Sequence, residues 1–163
     1  AGSGLALVDQ RMEGGEPVAD LLVTSAHLTG IELDGDIIPR ILDELPVLAV
    51  AACFASGTTV IRDAAELRVK ESDRIETTVA ELSRLGAKIE EREDGMVIHG
   101  TGSLTGAQCQ SWGDHRLAMS LGVAGLLADG QTVVMDANSA TVSYPEFWSH
   151  LSMLTGADES GQS

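Results

Sequence analysis

An eight-residue pattern occurs twice in this chain and restricts the folds open to it. Gly57-Thr58-Thr59-Val60-Ile61-Arg62-Asp63-Ala64 returns as Gly130-Gln131-Thr132-Val133-Val134-Met135-Asp136-Ala137. Each copy reads as a turn glycine, a β-branched strand and an Asp-Ala exit. Each follows an apolar helix rich in small residues, Pro46 to Ser56 in one copy and His115 to Ala128 in the other. Both helices are apolar almost all round, which predicts burial on every side. Asp43 and Asp114 stand where the two helices need N-caps. Gly122 and Gly125 are expected to let neighbouring backbones come close.

Ile75, Val79 and Leu82, and later Phe147, Leu151 and Leu154, fall at helical spacing. They predict an outer amphipathic helix after each strand. Lys88 to Arg92 and Met96 to His99 flank the Asp94-Gly95 turn signal of a hairpin. Ala19 to Leu33, interrupted at Thr29-Gly30, reads as another strand pair. The unit is therefore strand, buried helix, strand, outer helix, strand, strand. Two such units imply an α/β (α+β) fold with outer sheets and paired helices inside. The expected organisation is a Gly-rich segment at 1–16, an incomplete domain at 17–156 with units at about 17–99 and 100–156, and a polar tail at 157–163. The tail is expected to be disordered.

Composition narrows the function. The 163 residues suit one domain, and 44% hydrophobic content argues against disorder. With only 3% aromatics, the core has to be built from Ala, Val, Leu and Ile. The longest apolar run, Leu45 to Ala55, is too short to span a membrane, and the N-terminus lacks the layout of a signal peptide. Cys53 and Cys109 show no metal-ligand spacing, so reduced, idle thiols in a cytoplasmic protein are expected. The net charge of −15 weighs against nucleic acid, for which a basic stripe is needed. An anionic small molecule would have to be held by a few placed cations.

One run offers such cations. Arg68-Val69-Lys70-Glu71-Ser72-Asp73-Arg74-Ile75 sets a lysine, a glutamate and an arginine together where an apparent strand gives way to a helix, and Lys70 is one of only two lysines in the chain. A lysine beside a glutamate suits proton transfer. A helix starting at Arg74 adds free N–H groups and the positive end of its dipole. The plainer reading is a capping box from Asp73 to Glu76 beside a solvated Lys70–Glu71 pair.

Within the repeat, this run resembles the C-terminal part of the EPSP synthase family, the 3-phosphoshikimate 1-carboxyvinyltransferases. The resemblance extends from Arg11-Met12-Glu13-Gly14-Gly15-Glu16-Pro17 to about Gly156. It includes Asp43-Glu44-Leu45-Pro46, Leu67 to Ile75, Asp114-His115-Arg116-Leu117-Ala118-Met119-Ser120 and Ser143-Tyr144-Pro145-Glu146-Phe147. It implies a fold of repeated βαβαββ units. It also implies enolpyruvyl transfer from phosphoenolpyruvate to the 5-hydroxyl of shikimate 3-phosphate, without metal or cofactor. By position, Asp43 resembles the residue that contacts the shikimate hydroxyls and accepts a proton. Lys70 resembles the lysine near the reacting hydroxyl and the 3-phosphate, and Glu71 the carboxylate that handles protons at the methylene. Arg74 and Arg116 match the arginines holding phosphoenolpyruvate, with His115 beside them. Independently, Asp43, Arg74 and Arg116 all fall at predicted helix starts, which repeat units related by rotation would aim at one cleft.

Val142 occupies the place where part of the family carries a lysine, so the chain resembles the class II bacterial subgroup, for which glyphosate tolerance is expected. The family's N-terminal lysine, serine-glutamine cluster and further arginine have no counterpart here, so the resemblance implies an N-terminal half as partner and an inactive isolated chain. Two alternatives stand beside this reading. One is a non-catalytic split module that binds its complementary half; the other is the sister transferase acting on UDP-N-acetylglucosamine.

Overall fold

The computed structural model describes residues 2–156; the expected polar tail lies outside them. The chain opens with a long hairpin, β1 (Gly4–Glu13) and β2 (Glu16–Thr24), paired antiparallel with an irregularity between Val8 and Arg11. Gly14 and Gly15, both at positive φ, make its two-residue turn. The Gly-rich start thus supplies a full strand. β2 pairs with β1 rather than with the segment around Thr29, because the tight Gly-Gly turn makes that pairing local. Leu5, Leu7, Met12, Leu21 and Val23 on this hairpin are exposed.

A complete βαβαββ unit follows. It comprises β3 (Glu32–Leu33), a short helix α1 (Ile38–Ile41), α2 (Leu45–Cys53), β4 (Gly57–Ile61), α3 (Arg74–Arg84), β5 (Lys88–Arg92) and β6 (Gly95–Gly100). Its sheet runs β3-β4-β6-β5, with β3 parallel to β4 and both other pairings antiparallel. The hairpin expected at Asp94-Gly95 is β5–β6. Between β4 and α3 lies a 3-10 helix, Ala65–Val69, not a strand.

The second unit is shorter. It comprises β7 (Leu104–Thr105), β8 (Gln108–Gln110), α4 (His115–Leu127), β9 (Ala128–Asp129), β10 (Val133–Met135) and α5 (Phe147–Thr155). β10 pairs parallel with β8, so β8–α4–β10 repeats the crossover β3–α2–β4. β7 and β9 add a second short parallel pair.

The helices α2 and α4 pack against each other and α3 covers them. The core joins Leu45, Ala49 and Val50 of α2, Ile75 and Leu82 of α3, and Leu117 and Leu121 of α4 with Ile61, Met96 and Ile98 of the sheet. Each fully buried Leu or Ile contributes ~1.5–3 kcal/mol. Burial is not complete round the helices, however: Val47 and Leu48 of α2 and Leu126 and Leu127 of α4 face outward. The nearest neighbours of Gly122 are side chains rather than backbone: a Cβ there would approach the Trp148 ring to 2.7 Å and the Phe147 ring to 3.3 Å, and Gly125 likewise faces the side chain of Thr132. On α5, Leu154 is 82% exposed, against the inward face its spacing predicted. Cys53 and Cys109 are buried free thiols, and burial pushes both up to about 11.

Candidate active site

The starts of α2, α3 and α4 converge, as the helix-start pattern predicted. Each is set by local chemistry. Pro46 sits in the first turn of α2, where a missing N–H is harmless. The helix therefore begins at Leu45, Glu44 takes the N-cap position without a side-chain bond, and Asp43 lies upstream in the 3-10 turn Leu42–Glu44. Asp43 is thus not the expected cap, and its carboxylate is free to turn toward the other helices. Asp73 caps α3 by accepting the N–H groups of Ile75 and Glu76 at 3.1 and 3.0 Å. Asp114 caps α4 through the N–H groups of Arg116 and Leu117 at 2.9 and 3.4 Å.

Arg74 is the centre of the arrangement and is 1% exposed. Its Nε donates to Asp114 Oδ2 at 2.7 Å and its Nη2 to Asp114 Oδ1 at 3.3 Å. Nη1 donates to Asp43 Oδ1 at 2.9 Å, and Nη2 to Glu71 Oε2 at 2.5 Å. A guanidinium has five N–H donors; these contacts engage all but one, on Nη1. Burial alone would lower the pKa of Arg74, but Asp114, Glu71 and Asp43 outweigh it and raise it. Burial likewise pushes the Asp114 carboxyl up, yet Arg74, the Arg116 N–H and Ser72 hold it below its ordinary range. Ser72 Oγ donates to Asp114 Oδ2 at 3.0 Å.

Arg116 is more open, with its side chain 32% exposed. Its Nη2 donates to Asp43 Oδ2 at 3.0 Å, and its Nη1 lies 3.7 Å from Glu44 Oε1. Asp43 therefore bridges two arginines with its two oxygens. Lys70 pairs with Glu66 at 2.8 Å, not with Glu71. The solvated Lys70–Glu71 pair of the plainer reading does not form, because each residue finds another partner. His115 is half-buried beside Arg116.

Two openings flank the cluster. One, of about 250 Å³, is lined by Arg40, Asp43, Glu44, Glu66 and Lys70 among others. The other, of about 160 Å³, lies between α2 and α4 and includes Asp43, Arg116, Ser120 and Phe147. Asp43 is common to both. The structure thus brings Asp43, Glu71, Arg74 and Arg116 into one hydrogen-bonded cluster, with Lys70 on the rim of the first opening and His115 adjacent in sequence to Arg116.

Asp114 was legible only as a cap, and its grip on Arg74 went unread. Glu81 was missed altogether. Its signal was available: Arg74, Thr78, Glu81 and Leu85 share a helical face, so a carboxylate stands on the stripe that turns inward. Among the described residues no group of three or more His, Cys, Asp and Glu is arranged to hold a metal ion, and no helix is long and apolar enough to cross a membrane.

A model of the EPSP synthase (3-phosphoshikimate 1-carboxyvinyltransferase) family matches residues 8–151. A 3-phosphoshikimate 1-carboxyvinyltransferase of Herpetosiphon aurantiacus is 52% identical over 156 residues, 96% of this chain and 36% of that protein. One from Gloeobacter violaceus is 60% identical over 153 residues, 94% and 35% of the two chains. The structure of an EPSP synthase from Acinetobacter baumannii matches with a TM-score of 0.87 at 37% identity, over 93% of this chain and 36% of that one. The enolpyruvyl transferase NikO from Streptomyces tendae, 20% identical, shares the fold at a TM-score of 0.61, over 95% of this chain and 33% of that one. The chain spans roughly a third of the length of the curated relatives it matches, 36% and 35% of these two.

Proposed function

This chain belongs to the EPSP synthase family, and on that basis we propose that it is the C-terminal portion of a cytoplasmic enzyme of the shikimate pathway. The enzyme transfers the enolpyruvyl group of phosphoenolpyruvate to the 5-hydroxyl of shikimate 3-phosphate and releases phosphate. The observation that carries this reading is the Asp43 carboxylate shared between Arg74 and Arg116, with Glu71 on the neighbouring terminal nitrogen of Arg74. Cations and carboxylates from three helix starts alternate within hydrogen-bond reach, as a reaction needs when it holds an anion and moves protons beside it.

The chemistry is addition followed by elimination. A proton goes to C3 of phosphoenolpyruvate while the sugar hydroxyl attacks C2 and loses its own proton to a base. The tetrahedral intermediate then expels phosphate and returns a proton from C3. Glu71 serves the methylene carbon, Asp43 contacts the shikimate hydroxyls and accepts a proton, and Lys70 lies near the reacting hydroxyl and the 3-phosphate. Arg74 and Arg116 hold the carboxylate and phosphate of phosphoenolpyruvate, with His115 in support. Because Arg74 has one N–H left, Arg116 is the main anion ligand of the pair, and Arg74 acts mostly through its charge.

In place of a boundary at 16/17, which would cut the β1–β2 hairpin, the proposed organisation sets that hairpin (4–24) before units at about 32–100 and 104–156, with the remaining substrate contacts on an N-terminal half. Val142, exposed after β10, supports assignment to the subgroup lacking a lysine there and the glyphosate tolerance that goes with it.

The test is to mix this chain with a separately made N-terminal half and follow phosphate release from shikimate 3-phosphate and phosphoenolpyruvate. The mixture is expected to turn over and either part alone to be silent. A mixed complex that forms but releases no phosphate would mark the chain as a non-catalytic module. Release only with UDP-N-acetylglucosamine would reassign it to the sister transferase.

A further inference from the structure

Glu81 lies two helical turns beyond Arg74 on α3, and it is 0% exposed. Its carboxylate does not serve as a cap and reaches no substrate opening. Oε2 accepts the backbone N–H of Gln110 at 3.0 Å, and Oε1 accepts the indole N–H of Trp112 at 3.0 Å. Arg84 Nε stands 3.4 Å from Oε1, so both oxygens are used. Gln110 ends β8, and Trp112 and Gly113 form the turn into Asp114. Trp112 holds φ at +57° and Gly113 at +72°. The left-handed region is unfavourable for a bulky residue and persists only where the surroundings impose it. Within the turn, Ser111 accepts the Asp114 N–H on its carbonyl at 3.0 Å and the Gly113 N–H on its Oγ at 3.3 Å; the bond from the indole to Glu81 is what ties the turn to α3. The other end of the same turn is tied to α3 by the Asp114–Arg74 pair.

Resting on the reading above, we propose that Glu81 is a positioning residue for the transfer reaction: it fixes the Trp112–Gly113 turn, so that Asp114 holds Arg74 in register with Asp43 and Glu71. α3 and the turn are thereby joined at two places. Loss of the Glu81 tie lets the turn relax toward ordinary backbone angles, and Asp114 then moves relative to Arg74. The conservative change Glu81→Gln is informative because an amide keeps one acceptor oxygen but presents N–H groups to one of the two donors. Trp112→Phe removes the indole N–H and the pyrrole ring that carries it while keeping an aromatic side chain, at a position that is 53% exposed.

Both variants are to be assembled with the N-terminal half and compared with the unaltered complex. The first readout needs no turnover: solvent exchange of the Arg74 Nε–H, by nitrogen-15 NMR, against the Arg68 Nε–H as internal reference, since Arg68 is bound to the Glu93 carbonyl at 2.7 Å. Exchange at Arg74 is expected to quicken at least about tenfold, with Arg68 unchanged, because protection follows local opening. The second readout is the kinetic split: kcat falls about tenfold and KM for phosphoenolpyruvate rises, while KM for shikimate 3-phosphate stays within about twofold. Unchanged Arg74 exchange in both variants overturns the proposal, as does a loss of thermal stability that leaves kcat and both KM values untouched. If the unaltered complex shows no turnover, the proposed function fails, and the exchange measurement still decides whether Glu81 positions Arg74.

Discussion

The two repeat units share a strand pattern and a crossover but not their burial. In the first, α3 buries six of its residues between the helix layer and a four-stranded sheet. In the second, α5 buries none; Trp148 and Phe147 lie over Gly122, and Trp148 donates to the Ala137 carbonyl at 2.9 Å. The Gly-strand-Asp-Ala pattern sets the local path of the chain in both. The closing strand pair β5–β6 covers α3, and among the described residues no strand pair follows α5. The same asymmetry separates the two arginines. Arg74 stands at the start of the seated helix and is wholly enclosed by carboxylates, whereas Arg116 opens onto a cavity.

The sharpest way to break this comparison is to remove one carboxylate. Asp114→Ala strands a buried guanidinium and is expected to cost about 3–5 kcal/mol, whereas Arg116→Ala, acting on partly exposed groups, costs about 1 kcal/mol or less. Urea denaturation of both variants measures the difference; equal losses would mean that Arg74 is no more dependent on its partners than Arg116. Next in size is the contrast between the outer helices. Leu82→Ala on α3 is expected to cost about 2–5 kcal/mol, and Leu154→Ala on α5 to stay within about 0.5 kcal/mol. Equal midpoint shifts would show that both helices are seated alike.

The smallest effect is in pH. Asp114 is held below its ordinary value in the folded chain, so the unfolded chain takes up its proton first as the medium is acidified. Its stabilisation is present above the unfolded value of about 3.9 and is lost as pH falls through the lower folded value. Stability measured from pH 6 down to pH 2 should therefore decline less steeply in Asp114→Asn than in the unaltered chain. Parallel curves would remove Asp114 from the account.

The sequence revealed most where a local rule applied. Asp73 and Asp114 lie as caps where their spacing put them, and the Asp94-Gly95 turn makes its hairpin. The starts of α2, α3 and α4 meet as their repetition implied. Asp43 was misread as a cap because Pro46 sets the helix start at Leu45, one residue later than the aspartate suggests, which leaves the N-cap position to Glu44. The pairing of β2 was misread because both its neighbours looked strand-like, and the choice belonged to a turn outside the segment considered. The burial of Arg74 could not be read locally. It depends on carboxylates from three separate segments, and an arginine flanked by Asp73 and Ile75 carries no sign of them.

The central sheet also governs how the chain reaches this structure. β4 lies between β3 and β6, so it finds one partner across α2 and the other across α3 and β5. Neither pairing is local, and each must overcome a loop-closure entropy before it is rewarded. A chain growing from its N-terminus therefore cannot flank β4 on both sides until Gly100 has been made. The three helices pack on that sheet in one shared core. The cluster around Arg74 also needs Asp114, which lies beyond Gly100, so a growing chain cannot close it until every strand of that sheet has been made.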